Sequence, residues 1–298
     1  MNRKILALAI PNIISNITVP LLGMVDLGIV GRLGDDALIG GIVVGGAVFN
    51  FLYWNFGFLR MGTSGFTAQA YGGRDLSEAA RVLVRALGVA VGVAGLIWVF
   101  QRPLLEGALL FMEGSEAVEA AARRYFFVRI WAAPATLSLY AFTGWFIGMQ
   151  NARIPMWISI GINIVNIGCS WTAVRGLGMG IEGVAWGTVA AQWCGVLLAL
   201  GIVRRCYGRL FTRNVWRESG LGSWRVMRRF FQVNRDIFLR TVCLVAVFTY
   251  FTAASTRMGD TLLAVNTLLL QLFTLFSYMM DGFAYAGEAL AGRYWGMG

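Results

Sequence analysis

Residues 10–30 read IPNIISNITVPLLGMVDLGIV, an apolar run of bilayer length with one carboxylate, Asp26, inside it. About 20 apolar residues cross a hydrocarbon core as a helix, which satisfies its own backbone hydrogen bonds where water is absent. An acid within such a helix is costly unless it faces a bundle interior or a wet cavity, so Asp26 points to a proton relay, an ion site or a counter-ion. The alternative is an acid near the helix end that snorkels to the interface or pairs structurally with an arginine.

Outward from this run, similar windows fall at 38–66, 82–101, 125–149, 156–173, 183–203, 237–256 and 262–290, giving eight expected spans. The whole chain agrees. Of its 298 residues, 58% are hydrophobic and 13% charged, too apolar a balance for a water-soluble domain. The fold class expected is an all-α polytopic membrane protein. The second and eighth windows exceed what a bilayer needs and should tilt or project into solvent. Gly40, Gly41, Gly45 and Gly46 in the second window suggest either close helix packing or a hinge.

Charge orients the spans. Arg3 and Lys4, then Arg74, Arg81 and Arg85, then Arg153, then nine arginines from Arg204 to Arg235 fall on one side. The opposite loops offset their arginines with Asp35, Asp36, Glu106, Glu113, Glu116, Glu119, Glu182 and Asp260. The positive-inside rule then places the N-terminus and the basic 204–235 segment in the cytoplasm of a bacterial-type inner membrane. The net charge of +10 is thus topological. Beside a membrane span, the basic segment suits anionic lipid better than nucleic acid.

Much enzymatic chemistry is closed to this sequence. It has no histidine, so histidine-dependent triads and histidine metal sites are ruled out. Cys169, Cys194, Cys206 and Cys243 lack CxxC spacing and read as small packing residues. Asp35-Asp36 could hold a divalent cation in a prenyl-transfer enzyme, but N-capping of the second span explains the pair better. The YGGRD run at 71–75 reads as a helix-terminating turn. No cofactor is expected. The aromatic run Phe49, Phe51, Tyr53, Trp54, Phe56 and Phe58 reads as mainly lipid-facing and interfacial.

A repeat organises the chain. Asn12-Ile13-Ile14 aligns with Asp236-Ile237-Phe238, Gly31-Arg32-Leu33-Gly34-Asp35 with Thr256-Arg257-Met258-Gly259-Asp260, and Gln69-Ala70-Tyr71-Gly72 with Arg293-Tyr294-Trp295-Gly296. The offset stays near 225 residues, about the length of a six-helix unit and its linker, as in duplicated transporters. The organisation expected is a six-helix lobe over 1–203, a basic cytoplasmic linker over 204–235, and the first two helices of a second, repeat-related lobe over 236–298. On this arithmetic a full second copy would run about 150 residues further, so Gly298 reads as a truncation point.

PNIISNITVPLLGMVDLGIVGRLG (11–34), NFGFLRMGTSGFTAQAYGGRD (55–75), GMQNARIP (148–155) and MMDGFAYAGEALAG (279–292) resemble the multidrug and toxic compound extrusion family, nearest its DinF-like branch. The resemblance covers essentially the whole chain. It implies a twelve-helix antiporter of two six-helix lobes, functional as a monomer at full length. Such a protein exports cationic or amphipathic compounds against protons or sodium. Asp26 matches the family's proton-exchanging acid in the first helix. Asn163 and Asn166 match two asparagines that precede an aspartate, but Ser170 stands where that aspartate is expected. The seventh span lacks a mid-depth glutamate, so protons are the expected coupling ion rather than sodium.

From the residues, Arg60 is the expected intramembrane partner of Asp26, its alternative being a structural pair or an interfacial snorkel. Asn16 and Met24 share the first span with Asp26; together with Asn163 and Asn166 they either line a cavity or serve helix packing. A lipid-linked precursor or polysaccharide flippase is the alternative function. It would suit a cavity richer in arginines, and a prenyl-transfer enzyme is weaker still.

Overall fold

The computed structural model describes residues 2–31, 35–111, 115–212, 215, 218–220, 224–256 and 260–298. The described residues form helices α1 (Asn2–Gly31), α2 (Asp36–Asn55), α3 (Phe58–Gly72), α4 (Leu76–Val99), α5 (Gln101–Phe111) and α6 (Glu116–Arg129). Then follow α7 (Ala133–Gly148), α8 (Arg153–Trp171), α9 (Gly180–Tyr207), α10 (Trp224–Thr256) and α11 (Asp260–Gly296). Six stretches among the described residues are long and apolar enough to cross a membrane: α1, α2 with α3, α4, α6 with α7, α8 with the turn after it, and α9. The seventh and eighth windows are helical in α10 and α11.

Three departures from the sequence reading have local causes. The long second window is two helices: Phe56 and Gly57 interrupt it, and the Gly57 amide turns back to the Trp54 carbonyl at 3.1 Å. After α4 a break at Phe100 releases the short α5, with Glu106 ion-paired to Arg123 of α6. The basic linker is shorter than 204–235, because α9 continues through Tyr207 and α10 starts at Trp224. What remains is partly fixed. Val215 buries against Ala80 and Val84 of α4, Arg81 reaches Glu218 at 3.3 Å, and Arg85 donates to the Ser219 carbonyl at 2.5 Å.

Other local readings hold. Asp35 caps α2 by accepting the Ala37 amide at 2.9 Å. The YGGRD turn ends α3 at Gly72, passes Arg74 at a φ of 58°, and lets Asp75 cap α4 through the Glu78 amide at 2.8 Å. The repeat motifs around 32–34 and 257–259 lie outside the described residues. The two copies still correspond, since α1 and α10 end just before them; they differ in that α11 runs unbroken where α2 and α3 are interrupted.

Helix packing uses small residues, as expected where lipid and side chains are equally apolar. A Cβ on Gly41 would stand 2.6 Å from the Ala121 Cβ, so α2 lies almost backbone to backbone on α6. The core then fills with large rings. Phe49 stacks on Phe126 at 4.9 Å, and the Trp145 indole donates to the Ala79 carbonyl at 2.8 Å. The lipid-facing reading of the aromatic run is therefore wrong for Phe49 and Tyr53, which are buried, while Phe51 and Trp54 are exposed. Helical spacing puts 49 and 53 on one face, four residues apart, and 51 and 54 on others.

Candidate functional site

α1 buries Asp26, which is 8% exposed, with Oδ1 lacking any hydrogen-bond partner among the described residues. A buried carboxylate without a partner keeps the full cost of its lost hydration, so a proton or a cation gains by approaching it. The charge within electrostatic reach is Arg129, near the end of α6. Arg129 does not close on the acid. It donates to the Tyr125 hydroxyl at 2.7 Å, and its guanidinium lies 4.9 Å from the Phe49 ring centroid and 5.4 Å from that of Tyr125. The result is a buried arginine held by aromatics, beside a carboxylate that retains free acceptor capacity.

This corrects the partner expected from sequence. Arg60, on α3, donates to the Tyr285 hydroxyl of α11 and sits 4.0 Å from that ring's centroid, with Asp281 and Glu288 of α11 as the acids acting on it. Arg129 was missed although it carries the signal that singled out Arg60, an arginine inside an apolar window. Separation in the chain hides the pairing, because Asp26 and Arg129 come within electrostatic reach only in three dimensions.

The amides separate into two groups. Asn16 donates to the Tyr278 carbonyl at 3.2 Å, joining α1 to α11. Asn163 reaches the Thr18 carbonyl at 3.4 Å, and Thr18 also contacts the Ser159 hydroxyl at 3.1 Å, joining α1 to α8. Asn166 serves packing. It is fully buried, donates to the Thr188 hydroxyl at 3.0 Å and accepts from Ser170 at 3.4 Å. Met24 lies on the open side of α1, 67% exposed.

Ser170 has a steric explanation. A Cβ on Gly187 would overlap the Ser170 hydroxyl, so α8 and α9 meet there with no room for a carboxylate. The second acid that the family pattern expects has no counterpart at this position, and Asp26 is the acid that α1 presents alone. Among the described residues no group of three potential ligands could hold a metal ion.

A family model described as MatE matches residues 11–172. The chain is 41% identical over 290 residues to the DNA damage-inducible protein F of Escherichia coli, which spans 97% of this chain and 62% of that protein. It is 25% identical over 306 residues to a probable multidrug resistance protein NorM of Bradyrhizobium diazoefficiens, covering 98% and 63%. A solved MATE structure in the bent conformation matches with a TM-score of 0.87 at 20% identity, over 99% of this chain and 66% of that one. A MOP superfamily transporter from Pyrococcus furiosus matches with a TM-score of 0.85 at 20% identity, over 99% and 65%. At such identities the structural matches speak for fold alone. The chain spans just under two thirds of the length of each of these relatives.

Proposed function

The chain belongs to the MatE family, and from that membership we propose that it works in a proton-coupled antiporter that exports cationic or amphipathic compounds. The observation that carries the reading is Asp26, buried in α1 with an acceptor oxygen unpartnered among the described residues. As the site alternates between the two sides, Asp26 takes a proton from one and releases it to the other. Neutralising the carboxylate removes the charge that holds a cationic substrate, so proton and drug exclude one another there. Arg129 sets the field at the acid without occupying it. The relatives named for multidrug resistance support the substrate class. The orientation is N-terminus cytoplasmic, by the distribution of arginines, and the unit that acts is the monomer. Enzymatic turnover has no support, since Asp35 is a helix cap and the family's solved members are described as transporters.

The test uses the full-length gene product in proteoliposomes with an imposed pH gradient, following ethidium or rhodamine. Gradient-driven movement that disappears in Asp26→Asn, with expression and folding intact, is the expected outcome. Transport indifferent to Asp26, or movement of a lipid-linked precursor instead of the dyes, would overturn the proposal.

A further inference from the structure

One half of α11 is fastened to the first six-helix unit by more contacts than packing in lipid requires. Leu8 and Ala9 of α1, Ile147 of α7, Ala152 just before α8, and Ala286, Ala289 and Leu290 of α11 form a separate buried cluster. Around it the backbones nearly touch. A Cβ on Gly72 would overlap the Arg293 carbonyl, one on Gly296 would overlap the Gln69 carbonyl, and one on Gly292 would stand 2.9 Å from the Ala68 Cβ. Gln150 donates to the Ala289 carbonyl at 2.9 Å.

A charge lies within this seam. Arg60 is held by the Tyr285 hydroxyl and ring, faces Asp281 and Glu288 seven residues apart on α11, and has its own backbone pressed against Gly144 of α7. The Glu288 carboxylate in turn lies against Gly65, 3.6 Å from where a Cβ would be, and beside Ser64. Parting α3 from α11 would strand Arg60 and Glu288 in a weakly polar environment, which is expensive unless water enters between them, while half-buried Asp281 keeps Arg240 of α10 within reach. Such a pair resists small separations and gives way only to a wetted opening, which makes it a two-state element rather than a spring.

We propose that Arg60 and its α11 partners form a latch that closes the molecule at the end carrying the N-terminus, with Arg60 as the positioning residue. The latch must release before that end can admit water or substrate. The inference rests on the transporter reading only in that it presupposes a second, open arrangement, and its test does not use transport.

In the full-length protein with every cysteine replaced by alanine, Cys169, Cys194, Cys206 and Cys243 among them, a single cysteine is placed at Ser64→Cys, within the seam. A control cysteine is placed at Val89→Cys, in the buried face of α4. Labelling by a water-soluble maleimide is followed from the side bearing the N-terminus. Losing a charge-assisted hydrogen bond shifts such an equilibrium about tenfold. Arg60→Ala should therefore raise the labelling rate at position 64 about tenfold and leave position 89 unchanged, with Tyr285→Phe giving a smaller rise and Arg60→Lys falling between. Unchanged labelling at 64 in both Arg60→Ala and Tyr285→Phe overturns the latch. A parallel rise at 64 and 89 also overturns it, because Arg60 would then hold the whole fold and not the seam. If dye transport proves independent of Asp26 while position 64 responds as described, the antiport mechanism fails and the latch stands.

Discussion

The two halves of α11 share one helix but differ in composition and in surroundings. From Tyr285 onward the helix is built into the first unit, with Ala286 and Ala289 fully buried and glycines carrying backbone against backbone. Before Met280 it shows Leu269, Leu272, Leu275 and Phe276 to the outside, Leu272 at 65% exposure. The buried half is rich in Gly and Ala and carries Glu288, with Asp281 just before it; the exposed half is mostly Leu and Phe. In lipid, large apolar side chains gain nothing by leaving the surface, whereas small residues gain contact by approaching another helix, so composition sorts the halves.

Substitutions can break or sharpen that contrast. Gly72→Val should have the largest effect, because its Cβ would enter the space of the Arg293 carbonyl; overpacking of this kind costs about 1–3 kcal/mol, occasionally more. A large fall in the thermal unfolding midpoint of the purified protein in detergent is expected. Leu272→Ala, on the exposed half, should shift stability by less than about 0.5 kcal/mol. A loss there as large as at Gly72 would mean that this face is packed in the membrane, and the contrast would collapse. Glu106→Gln sets the floor. The Arg123 side chain beside Glu106 holds its carboxyl below the usual carboxylate range, so any stability it adds is present above that range and fades as pH falls through the lowered value. Because the pair lies at the solvent-exposed surface and is screened, the unfolding curves of wild type and Glu106→Gln should coincide at neutral pH.

How much could be read beforehand follows from what each feature depends on. Span positions were legible because hydropathy is a local property, and Asp26 stood out because charge inside such a run is rare. The pairing of Arg60 with Tyr285 was not legible, since it joins residues 225 apart in the chain, and only tertiary structure shows that Arg129 is the arginine near Asp26. The break at Phe56-Gly57 carries a signal, a glycine inside an overlong window, but length alone does not separate a break from tilt or projection into solvent. Sequence leaves Asn166 open between cavity and packing, since its partner Thr188 lies on another helix 22 residues away.

The fastening of the linker to α4 shortens the connection between α9 and α10. With Val215 buried and Ser219 tied to Arg85, the leash to α10 starts at Ser219 rather than at the end of α9. From there to Trp224 a fully stretched chain reaches about 18 Å. The start of α10 therefore lies within that reach of the first half of α4, where Arg85 sits. If the second repeat moves as the proposed antiport requires, α10 pivots about that moored point.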